Sequence, residues 1–153
     1  MDQANPENDL RAALAAFETS VTTPVVSGEL ADWVDKVKTS WTEASAQVHY
    51  QTKHLHPRQF EEIAEADAAL FQQVELMTAE DEAIEEEREK LSQSVMRVAE
   101  HVPKMEPDEA KAAPHIKSLS DQAVAFVNRV RKQAVAVQTW YVEAFNRERG
   151  GGD

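Results

Sequence analysis

At 153 residues with a formal charge of −12, the chain is long enough for one domain with its own core. Its field repels phosphate backbones and anionic lipid surfaces alike, so neither nucleic acid nor a membrane surface is an expected partner. The absence of cysteine excludes disulfides, zinc–thiolate sites, iron–sulfur clusters and thiol catalysis.

Four segments carry helical periodicity, with apolar residues three or four apart. The first, expected over 8–22, runs Leu10, Leu14, Phe17, Val21, with Asn8 or Asp9 as its cap, and ends before Pro24. The second, expected over 28–55, runs Leu30, Val34, Val37, Trp41, Ala44, Val48 behind a candidate cap at Ser27, and fades at Leu55-His56-Pro57. The third, expected over 67–102, runs Leu70, Val74, Met77, Asp81, Ile84, Arg88, Leu91, Val95, Val98, Val102. Only Asp81 and Arg88 break its apolar rule, and Pro103 and Pro107 end it. The fourth, expected over 114–149, runs Ile116, Leu119, Ala123, Phe126, Val130, Gln133, Val137, Trp140, Ala144 and stops at the glycines from Gly150. Pro114 suits its first turn.

Residues 57–67 leave two readings open. Phe60, Ile63 and Ala64 are helix-compatible, so a short helical turn joins the second and third helices, or the third starts early. The break is preferred, because Asp67 makes a good cap for a later start. The β-branched residues fall at helical spacing and not in alternation, so no strand is expected. The fold class expected is all-α: an antiparallel up-down-up-down four-helix bundle forming a single domain over 1–153, with flexible termini at 1–7 and 150–153. Residues Phe17, Val34, Trp41, Leu70, Val74, Ile84, Leu91, Phe126 and Val137 should be its buried seam. The N-terminus has neither the basic nor the apolar stretch of a signal peptide, and no run reaches the length of a membrane span, so a soluble cytoplasmic protein is expected.

The chemistry-bearing residues are few. His54 and His56 follow His49 and would make a small metal cluster, but beside Pro57 they read better as solvated histidines at a helix end. His101 and His115 flank the third connection and read as surface residues. The acidic run Glu80, Asp81, Glu82, Glu85, Glu86, Glu87, Glu89 lacks EF-hand spacing, and a helix splays successive carboxylates around its axis. It reads as a solvated face, and hairpin arithmetic places Glu85 opposite Arg129, Arg131 and Lys132. Trp33, Trp41, Trp140 and Tyr141 fall at core spacing. No nucleophile elbow or Gly-rich phosphate loop is present.

Several phrases resemble the hemerythrin-like family, whose four-helix bundles hold two irons. Asp9-Leu10-Arg11-Ala12-Ala13-Leu14 resembles the first-helix Asp-His-Arg-x-x-Leu, with Leu10 at the histidine's place. His49-Tyr50-Gln51-Thr52-Lys53 resembles the second-helix His-x-x-x-Glu, with Lys53 for the carboxylate. Glu80-Asp81 resembles the third-helix Glu-His, with Asp81 for the ligand. Thr139 to Glu143 resembles the fourth-helix His-x-x-x-Glu, with Thr139 for the histidine and Glu143 kept. The resemblance implies a metal-site fold without its metal, since leucine and threonine do not normally ligate iron and a lysine ammonium repels a cation. No iron or other cofactor and no catalytic residue is then expected. The family's geometry implies instead an ion pair of Lys53 with Asp81 in the vacated site, beside His49 and Glu143. The expected function is a non-enzymatic binding or regulatory module with an unknown protein partner or a homodimer. The alternatives are an oxygen or redox sensor of the same fold, holding a metal on His49, Asp81, Glu143 and His54, and an unrelated helical oligomerisation protein.

Overall fold

The computed structural model describes residues 5–105 and 108–150, with side chains described as far as residue 146. It is all-helical, with no strand among the described residues, and its helices group into four rods. Pro107 and the chain ends at 1–4 and 151–153, where flexible termini were expected, lie outside the described residues.

Helix α1 spans Pro6–Thr22. Asn5 caps it, its side chain accepting from the N–H groups of Glu7 and Asn8, and Pro6 takes the first helical position, where its missing N–H costs nothing. Residues 5–7 are therefore a cap and first turn, not a tail. The chain reverses at Gly28, whose φ of 82° suits a residue without Cβ. Its N–H donates to Glu109 in the third connection at 2.6 Å.

Helix α2, Leu30–Tyr50, does not end at the expected proline. It passes through a π-helical turn at Gln51–Leu55 into α3, His56–Ala66, and the backbone stays right-handed throughout. The physical reason is visible in the proline itself. Pro57 has no N–H to donate, and in a regular α-helix its ring would strike the carbonyl of Lys53. A wider turn, in which the His56 N–H reaches the Gln51 carbonyl five residues back, relieves that clash without breaking the rod. The real break comes at Asp67, where the backbone turns extended and the side chain caps the 3-10 turn Ala68–Leu70. The expected connection over 55–67 is thus mostly helix.

Helix α4 follows over Phe71–His101 and α5 over Ala113–Gly150, joined through 3-10 turns at Val102–Met105 and Glu109–Lys111. All nine expected seam residues are buried. Between α2–α3 and α4 the contacts run in opposite numerical order: Trp41 with Ser92, Ser45 with Arg88, His49 with Glu85, His56 with Asp81.

The core divides in two. The larger part holds the buried residues of α1 together with α2 as far as Val48, α4 from Ile84 onward and α5 as far as Val130. Phe17, Trp41 and Phe126 meet within it, one pair tilted and the other edge-to-face, with ring centroids 4.9 and 5.6 Å apart. The smaller part holds Phe60, Ile63, Leu70, Val74, Met77, Val137 and Ala144, and α1 contributes nothing to it. At 17 residues α1 is about 25 Å long, whereas α5 has 38 residues. The start of α1 is pinned at the π turn, where the Gln51 side chain donates to the Pro6 carbonyl.

Candidate functional site

Between the two cores lies a polar layer. Its members are Gln51, Thr52, His56, Asp81 and Gln133, the buried polar side chains among the described residues. Each sits on its rod between the last residue of one core and the first of the other. His56 falls between Val48 and Phe60, Asp81 between Met77 and Ile84, and Gln133 between Val130 and Val137.

Asp81 and His56 form the centre. The imidazole Nδ1 lies 3.0 and 2.9 Å from the two Asp81 carboxylate oxygens, and both side chains are less than a tenth exposed. The Gln133 amide donates to the same carboxylate at 3.0 Å and to the Met77 carbonyl at 2.8 Å. An ionised carboxylate only accepts, so towards an ionised Asp81 the imidazole donates from Nδ1. Phe60 packs against the ring at a tilt, 5.6 Å away between centroids.

The expected partner of Asp81, Lys53, is exposed on the π turn. The π turn supplies the reason. Ala44, Val48, Thr52, His56 and Phe60 are all buried and exactly four apart. On a straight α-helix each four-residue step overshoots a turn by about 40°. The wider turn absorbs that drift, keeping His56 on the seam and leaving Lys53 outside it. His56, expected to be a solvated residue at a helix end, is instead 5% exposed. His54 is exposed, with Tyr50 5.6 Å away.

The other residues implied by the resemblance are dispersed. His49 bonds Glu85 at 3.1 Å, one turn along α4 from Asp81, and is itself exposed. Leu10 is packed in the larger core, Thr139 is exposed and Glu143 is half-buried on α5. Among the described residues no three His, Asp or Glu side chains gather as a metal-holding group. The side chains present do not fit a di-iron centre.

Glu85 is not opposite the α5 cations as expected, because its carboxylate faces α2. It accepts from Thr52 at 2.7 Å and from Arg88 at 2.9 Å, and Arg88 also donates to Ser45. Burial opposes ionisation of Glu85, but the bonds from Arg88, Thr52 and His49 outweigh it and hold the carboxyl at about 2. Arg129 on α5 bridges Glu80 and Glu87 instead, at 2.7 and 2.6 Å. The hydrogen bond from Arg129, against the opposing effect of burial, holds Glu80 below the usual carboxylate range.

A groove of about 570 Å³ opens beside the layer, where α1 gives out. The start of α1 forms one end with Leu10 and Leu14, the π turn and α3 form one wall with Leu55 and Gln59, and α5 forms the other with Val135 and Gln138. His56 and Val137 lie in its floor. Sequence reasoning missed this place. The signal was the run of four-residue steps through His56, together with Asn5-Pro6-Glu7 as a cap, first-turn proline and acid that start α1 where it does. No helix among the described residues is long and apolar enough to cross a membrane. A scan against protein-family models, a search of curated proteins and a search of solved structures each find no match to this chain.

Proposed function

We propose that this protein is a non-enzymatic binding module, and that the groove beyond the start of α1 is where it binds a small, largely apolar molecule. The observation that carries this is a buried, oriented histidine in a groove lined mainly by apolar side chains and uncharged amides, with Glu7, Arg11, Arg131 and Thr139 also on its lining. Such a volume falls in the range of small-ligand sites, and a few fixed polar groups in an apolar cleft are their usual chemistry. We read the frame as an antiparallel up-down-up-down bundle of hemerythrin-like type without the iron. The opposed numbering of the α2–α4 contacts supports the topology, as does the same order between α1 and α2, where Phe17 meets Trp41 and Pro6 meets Gln51.

An environment-sensitive dye, N-phenyl-1-naphthylamine, tests the site. Its fluorescence should rise on binding the protein, and Ala134→Trp, which fills the groove, should remove the rise. Val135→Glu places a charge at the exposed rim and should weaken binding without disturbing the fold. Dye binding unaffected by both variants would refute the assignment. The metal-free part has its own test: protein made without an affinity tag should be colourless and carry no stoichiometric iron by elemental analysis.

A further inference from the structure

The polar layer does more than seal the bundle, because Nε2 of His56 is not used within it. Nδ1 of His56 is committed to Asp81, and no described group bonds its Nε2. Yet no buried, unpartnered side-chain nitrogen or oxygen exists among the described residues. Nε2 must therefore reach accessible space, and the groove that His56 lines is that space. In the neutral tautomer that donates from Nδ1 to Asp81, Nε2 is a lone-pair acceptor.

We propose that the groove selects an uncharged apolar molecule bearing a hydroxyl, of the phenol or naphthol class, whose O–H donates to Nε2 of His56. This rests on the groove being a binding site. The apolar side chains Leu10, Leu14, Leu55, Val135 and Val137 take the ring, and the hydroxyl meets Nε2 of His56. A charged ligand fits the surroundings less well. Of the two cations on the lining, Arg131 is already held by Glu18 at 3.1 Å and Arg11 is exposed to solvent, Glu7 is the lining carboxylate, and the whole chain carries −12. The acceptor is positioned before binding by Asp81 and Phe60, so ordering it costs little when the ligand arrives.

The test compares 1-naphthol, naphthalene and 1-naphthoate by calorimetric titration of the whole protein at neutral pH. One buried hydrogen bond should make 1-naphthol bind roughly three- to tenfold tighter than naphthalene. His56→Phe combined with Asp81→Leu, which leaves no unpaired carboxylate behind, should abolish that preference and retain naphthalene binding. On wild-type protein, 1-naphthol should shift the ¹⁵N resonance of Nε2 and leave Nδ1 protonated, a response that a merely structural histidine would not give. If the two neutral probes bind equally, or Nε2 does not respond, the hydroxyl assignment falls while the groove stands. Tighter binding of 1-naphthoate overturns the neutral-acceptor reading in favour of a charged one. If neither neutral probe binds, both the assignment and the binding site are refuted.

Discussion

The two ends of this bundle are built from the same rods but solve burial differently. Where α1 is present, four apolar faces close on Phe17, Trp41 and Phe126, and the buried residues there are almost all hydrophobic. Among the described residues only α3, α4 and α5 form the smaller cluster around Ile63, Met77 and Val137, which closes without α1. The boundary is where every buried polar side chain among the described residues collects and where the groove opens. An abrupt change in helix number leaves side chains at that level with no fourth face to pack on. A hydrogen-bonded layer tolerates such a place better than an apolar one, since its stability comes from specific partners and not from complete enclosure.

Truncations measured by urea unfolding should separate the two ends most sharply. Phe126→Ala removes a ring enclosed on all sides and should cost about 3–5 kcal/mol. Phe60→Ala, in the three-helix end, should cost less, about 2 kcal/mol, because neighbours there can collapse into the space. Equal costs would mean that the three-helix end is as tightly enclosed as the other.

The layer between them comes next. His56→Leu leaves the Asp81 carboxylate buried with only Gln133 for a partner and should cost about 3 kcal/mol. The double change with Asp81→Leu should recover much of this, since an apolar pair of similar volume needs no partners. A double-mutant cycle showing no coupling between the two positions would remove the layer as a unit.

Acid titration probes the α2–α4 side of the same boundary. The folded Glu85 carboxyl is depressed to about 2, against an unfolded value of about 4.3. A group depressed in the folded state binds its proton more readily when unfolded. Its stabilisation is therefore complete above the unfolded value and is lost as pH falls through the folded one. The stability gap between wild type and Glu85→Gln should be full at pH 7 and shrink from about pH 4 toward pH 2, as followed by unfolding midpoints. A gap that does not change with pH would mean that Glu85 contributes nothing through its charge.

The smallest effect belongs to the residue that the family resemblance singled out. Lys53 is exposed, so Lys53→Met should change stability by less than about 0.5 kcal/mol. A loss of several kcal/mol would restore the ion pair with Asp81 that the structure does not form.

By itself the sequence determined the helical class, the nine seam residues and the anomaly at Asp81, because all three follow from periodicity along one chain. Asp81 was legible as a charge on the seam, which needs a partner if buried, but neither its burial nor its partner's identity was. That choice depended on whether Pro57 ends a helix or bends it. Local propensity favoured an end, and packing of Phe60 and Ile63 against Val137 and Met77 favoured continuation. The tertiary contacts prevailed, at the modest expense of one widened turn, and that turn rotated His56 inward and Lys53 out. The groove likewise could not be read from any one segment. It exists because α1 starts at Pro6 while its neighbours run on, and only their side-by-side placement turns that difference in length into a cavity.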